Sequence, residues 1–215
     1  CATSLVQARE DLAKSQVILI GPGMEATDDT ERFMANFPQD RPMVFDADAL
    51  NLIARNHALL EMPACYPRIL TPHEGEAARL LGREIANRNE DALQLACEYE
   101  AIVVLKGPET LIATPAGNLH AVVEGGPELA KAGTGDVLGG MIAAFLAQGL
   151  DAFDAATLAV FVHGRAGRAA ARELSVQAVM PEDIICKIGP VLLGLEAEDL
   201  SLIHISEPTR RSYIS

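Results

Sequence analysis

Ala132-Gly133-Thr134-Gly135-Asp136-Val137-Leu138 is the stretch on which the fold turns. Two glycines free the backbone to curl, and an apolar run over residues 137–146 begins at once. A helix that is hydrophobic on every side is expected to be buried rather than amphipathic. The N–H groups of the curl and the helix dipole together make an anion hole. Asp136 falls in the first turn. A carboxylate there either caps free N–H groups or takes a proton from a hydroxyl as it attacks phosphorus.

Upstream of this stretch, apolar runs and helical patterns alternate. Strands are expected at 17–20, 43–45, 68–70 and 101–105. Helices are expected at 27–35, at 49–55 with Asp48 as N-cap, at 72–81 stopped by Gly82, and at 91–100. Runs at 111–114 and 119–123 flank Pro115-Ala116-Gly117-Asn118, which reads as a hairpin. Downstream lie an Ala-rich helix at 153–172 and a last helix at 182–195, with Pro181 in its first turn and a kink expected at Gly189-Pro190. Strands alternating with helices predict an α/β fold whose mostly parallel sheet is covered on both faces.

In open sheets of this kind ligands bind beyond the carboxyl ends of the strands. Unusual sequences fall at those ends. Gly21-Pro22-Gly23 follows the first strand, and Asp46-Ala47-Asp48 the second. Thr71-Pro72-His73-Glu74-Gly75-Glu76 follows the third. Capping-box spacing accounts for Thr71, Pro72 and Glu74 but not for His73, which reads equally as a cap or a ligand contact. Glu76 is a candidate to hold magnesium through water. Lys106-Gly107-Pro108-Glu109-Thr110 follows the fourth strand. Lys106 there is either a point charge for a phosphate or a solvated turn residue, and Thr110 can hydrogen-bond a phosphate.

Composition narrows the function. The chain has 215 residues, one α/β-sized domain by length. With 49% apolar residues it is expected to build a real core. A net charge of −13 argues against nucleic acid and anionic membranes as partners. No apolar stretch is long enough for a membrane span. Four scattered cysteines without a CxxC pair read as reduced thiols of a cytoplasmic protein. The chain opens on Cys1 and shows no signal-peptide pattern, which reads as a fragment. Its last residues, 200–215, resemble a translated sequencing adapter, so 1–199 is taken as the domain and 200–215 as a non-native tail.

Taken in order, Gly21-Pro22-Gly23, Asp46-Ala-Asp-Ala-Leu-Asn51, Leu70-Thr-Pro-His-Glu-Gly-Glu76, Leu105-Lys-Gly107 and Ala132-Gly-Thr-Gly-Asp-Val-Leu138 resemble the motifs of NAD(P)H-hydrate dehydratases. His163-Gly164-Arg165-Ala166-Gly167 fits the same family's later helix. The resemblance implies a ribokinase-like three-layer sandwich. It also implies a repair lyase that uses ADP (ATP in eukaryotic members), with magnesium, to dehydrate the S-epimer of hydrated NADH and NADPH, releasing AMP and phosphate. It carries Gly23, His73 and Asp136 over as hydrate contacts and Asp136 as the base. Lys106, Gly107, Pro108, Glu109, Thr110, Gly133, Thr134 and Gly135 carry over as nucleotide contacts. Glu76 takes the metal position by superfamily analogy.

The sequence departs from the pattern at Gly126-Pro127-Glu128, where Asn-x-Gly is usual. It departs again at Lys131, where a small residue or Thr is usual. That lysine either strengthens phosphate binding or points to solvent. The family's opening strands and glycine-rich loop are absent, which implies an uncovered sheet edge, and an epimerase domain often lies upstream. Small residues at 166–171 permit a homo-oligomer. The alternatives are a small-molecule kinase of the same superfamily, acting on a vitamin precursor or sugar, and a non-catalytic nucleotide-binding domain.

Overall fold

A computed structural model describes residues 14–60 and 63–197; the expected tail at 200–215 lies outside them. Six strands form one sheet in chain order: β1 Ile18–Ile20, β2 Met43–Phe45, β3 Arg68–Leu70, β4 Ile102–Leu105, β5 Thr110–Ala113 and β6 Leu119–Val122. β1 to β4 are parallel, and β5 and β6 are added antiparallel as a hairpin. Among the described residues β1 is an edge strand.

Side chains alternate across the strands, and this alternation divides the core into layers. Phe45, Leu70, Val103 and Leu105 face one side, against α2 (Asp48–Arg55), α3 (Glu74–Leu81) and α4 (Arg88–Glu98), with α1 (Asp28–Ala35) beside them. Val44, Ile69, Val104 and Ile112 face the other side, against α5 (Thr134–Ala147), α6 (Ala152–Leu174) and α7 (Pro181–Ala197). The expected three-layer α/β sandwich is therefore observed.

Several local expectations need correction. Asp48 does not cap α2. The N-cap is Ala47, at φ 49°, and its N–H donates to Asp46 Oδ1 at 2.9 Å. Asp48 lies inside the first turn and accepts from Glu25 N instead. The capping box before α3 sits two residues later than expected. Thr71 extends β3, donating through N and Oγ1 to Phe45 O, and His73 becomes the cap. Strand pairing with β2 thus overrides the local Thr71–Glu74 spacing. α4 starts at Arg88 rather than at 91, because Asn87 caps it. Asp91 is instead buried in its first turn, where the Arg83 guanidinium holds its carboxyl below the usual carboxylate range.

Two further expectations concern the second helical layer. α5 is not covered on every side, since Gly140, Ala144 and Ala147 are exposed. Of the small residues at 166–171, Ala166 and Ala170 are fully buried against Val179 and Ile184, while Ala169 and Ala171 are partly exposed. α7 is one helix that includes Pro190.

Candidate functional site

The carboxyl ends of β1 to β4 converge on the start of α5. Gly21, at φ 122°, lets the first loop lie against the second, and a Cβ there would fall 1.8 Å from Asp46 O. Gly21→Ala is therefore expected to destabilise the chain by about 2 kcal/mol, from a strained φ together with a backbone collision. Urea denaturation checks this.

Asp46 is 1% exposed and is a buried anion of the site. Its Oδ1 accepts from Lys106 Nζ at 2.8 Å, and Glu76 Oε2 lies 3.9 Å from the same ammonium. Lys106 is fixed by its main chain: its N–H donates to Pro72 O at 2.8 Å, and a parallel bridge joins it to His73. His73 Nδ1 accepts from Gly75 N and Glu76 N, and Glu76 Oε2 accepts from His73 N, a reciprocal cap. With Nδ1 an acceptor, the proton sits on Nε2, 3.4 Å from Glu76 Oε1. The His73 side chain is about half exposed at the site's rim.

Gly135 places α5 over this cluster, since a Cβ there would lie 3.4 Å from Lys106 Nζ and 3.7 Å from Asp46 Oδ2. The N-cap, Gly133 at φ 88°, offers no capping side chain. Among the described residues the N–H groups of Gly135 and Asp136 meet no protein acceptor, so the helix start is open to an anion. Asp136 is exposed there. It ends an apolar groove of about 550 Å³ between α5 and α7, lined by Met141, Phe145, Ile188 and Leu192.

Not every expected contact reaches the cluster. The Thr134 hydroxyl is turned inward, 2.6 Å from Leu129 O and 2.8 Å from Lys131 O, so only its main chain faces the opening. Thr110 Oγ1 donates to Gly107 O at 3.4 Å. Pro108 and Glu109 are exposed, and Gly23, at φ 68°, has open space where a Cβ would stand. No group of three metal-ligating side chains occurs among the described residues. The Lys131 ammonium is engaged by main chain: its Nζ donates to Gln177 O and Val179 O.

Two contributors were assigned no site role from the sequence, although His163 opens the 163–167 motif. Arg88 lies across the Lys106-Gly107 turn, 2.2 Å from a Gly107 Cβ position, and pairs with Glu74 at 3.0 Å. His163, on α6, is 5% exposed with Nε2 unpartnered. Burial pushes its pKa down to about 4; a hydrogen bond to the Thr134 main chain opposes this and the Lys106 charge adds to it. The unfolded chain protonates His163 near its ordinary 6.5, so this contribution to stability is complete above that pH. It is lost as pH falls toward 4, by up to about 3 kcal/mol. His163→Gln is expected to flatten that part of the stability–pH curve, measured by urea titrations at several pH values.

No helix among the described residues is long and apolar enough to cross a membrane. A family model described as NAD(P)H-hydrate dehydratase matches residues 2–190. The bifunctional NAD(P)H-hydrate repair enzyme Nnr of Moorella thermoacetica is 42% identical over 196 residues, covering 88% of this chain and 37% of that protein. The ADP/ATP-dependent NAD(P)H-hydrate dehydratase of Bacillus subtilis, co-crystallised with ATP/Mg2+, superposes with a TM-score of 0.76 at 32% identity. That match covers 83% of this chain and 64% of the other. A ribokinase-like superfamily protein from Enterococcus faecalis, 24% identical, shares the fold with a TM-score of 0.73, over 87% of this chain and 66% of its own. The chain thus spans little more than a third of the Moorella relative and under two thirds of the B. subtilis structure.

Proposed function

The chain belongs to the NAD(P)H-hydrate dehydratase family, and from that premise we propose that it repairs hydrated NADH and NADPH. The reaction is an ADP-dependent dehydration of the S-epimer to NAD(P)H, with release of AMP and phosphate. One observation carries the reading: the open start of α5 stands directly over the Lys106–Asp46 pair, with an exposed carboxylate, Asp136, in the same turn.

In this reading the Gly135 and Asp136 N–H groups hold the transferred phosphoryl group as its charge develops. Lys106 adds a positive charge beneath it. Asp136 takes the proton of the ring hydroxyl as that oxygen attacks the β-phosphorus of ADP, and the bond to the AMP oxygen breaks. Phosphate is a far better leaving group than hydroxide. Its loss, with a proton from the adjacent ring carbon, restores the double bond of the reduced coenzyme. Gly23 and His73 sit on the rim where the hydrate would enter, and the 106–110 turn is offered to the nucleotide. Magnesium, arriving with the nucleotide, would offset phosphate charge. Glu76 would hold it through water, since that ion keeps several waters. An epimerase unit upstream and a cytoplasmic setting accompany this reading, with residues 1–199 as the dehydratase domain.

The test supplies the hydrate, magnesium and ADP or ATP, and follows the return of reduced-nicotinamide absorbance together with free phosphate. Recovery of both supports the dehydratase. A stable phosphorylated product would instead identify a small-molecule kinase, and nucleotide binding without turnover a non-catalytic binding domain.

A further inference from the structure

We propose that Lys131 is a positioning residue whose ammonium sits on a pair of carbonyls that a monovalent cation could also bridge, tying the anion-binding loop to the turn between α6 and α7. Lys131 Nζ donates to Gln177 O at 2.6 Å and to Val179 O at 2.5 Å. Both acceptors are main-chain carbonyls of one turn, more than forty residues away in sequence. Among the described residues no carboxylate pairs with this ammonium, and the protein groups that receive it are carbonyl dipoles. Ammonium and potassium ions are held by oxygen dipoles in the same way.

The link bears on the site through the main chain. Lys131 O accepts from Thr134 N at 3.3 Å and lies 2.8 Å from Thr134 Oγ1. The position of residue 131 therefore sets the first turn of α5, where the Gly135 and Asp136 N–H groups are open. A second contact supports the same seam: a Cβ on Gly133 would lie 3.0 Å from Pro181 Cγ, at the start of α7. Of these two features, the lysine is the one whose charge a free ion can replace. The inference rests on the proposed nucleotide site, not on the dehydration that follows.

The experiment measures ADP affinity by calorimetry with magnesium, in ammonium chloride and in tetramethylammonium chloride at equal ionic strength. Lys131→Ala vacates the carbonyl pair, whereas Lys131→Met leaves it covered by an uncharged stem. Thermal unfolding is followed in both salts. Lys131→Ala is expected to bind ADP roughly tenfold more weakly in tetramethylammonium, the scale of a lost charge-assisted hydrogen bond. Ammonium is expected to restore most of that affinity. Lys131→Met stays weak in both salts, and the unsubstituted chain is indifferent to the change. A Lys131→Ala chain that unfolds in tetramethylammonium but folds in ammonium carries the same support. Unchanged affinity in Lys131→Ala overturns the proposal. So does a loss that ammonium leaves uncorrected, or a rescue equal in Lys131→Met. Failure of the unsubstituted chain to bind ADP removes the nucleotide site and this inference with it. Failure to dehydrate the hydrate, with ADP bound and the salt pattern as described, overturns the proposed reaction alone.

Discussion

Asp136→Asn is expected to lower turnover of hydrated NAD(P)H by about a thousandfold, within the range for a lost general base. The substitution keeps the side chain's size and the main-chain N–H, so the anion hole persists. ADP affinity is accordingly expected to change by no more than about threefold, well under the cost of losing a charged hydrogen bond. Steady-state rates and ADP titrations on the same preparations test the split. A rate loss below tenfold would return Asp136 to the capping role its first-turn position also allows. A large loss in ADP affinity would make it a binding group rather than a base.

Lys106→Met is expected to cost about 4 kcal/mol of stability. Removing one partner of a buried ion pair leaves the other uncompensated, and here two carboxylates are left. Asp46 is 1% exposed and Glu76 6%, and the same ammonium faces both. Asp46→Asn in that background is expected to recover part of the loss, because a neutral amide costs less to bury. Urea denaturation of the two variants decides it. If the double variant is no more stable than Lys106→Met, the penalty comes from lost packing of the lysine stem and not from the stranded charge.

The layers of the fold were legible because strand and helix periods are set locally. The runs at 43–45 and 68–70 are strands at those limits. What sequence missed was decided by neighbours distant in the chain. His73 took the cap from Thr71 because β2 claimed Thr71. The exposed stripe of α5 depends on how α7 lies beside it, which a uniformly apolar run cannot encode. At the site, Lys106 and Asp46 were each visible at a strand end, yet their pairing spans 60 residues. Arg88 showed nothing to mark it, because an arginine in a first helical turn looks like any solvated one. Lys131 stood out as a departure from pattern, but its acceptors are main-chain carbonyls, and a carbonyl is present whatever the residue.

The strand order carries a consequence for how the chain acquires its structure. Every strand from β1 to β6 is bonded to the one that follows it in the chain, with no strand inserted later between earlier ones among the described residues. Each new strand can therefore dock on an edge already formed, and the largest loop to be closed at any step is one strand-to-strand connection. Such a sheet can grow in the direction in which a ribosome delivers it. The anion-binding turn, which comes after β1 to β6, is added when the platform those strands make beneath it exists.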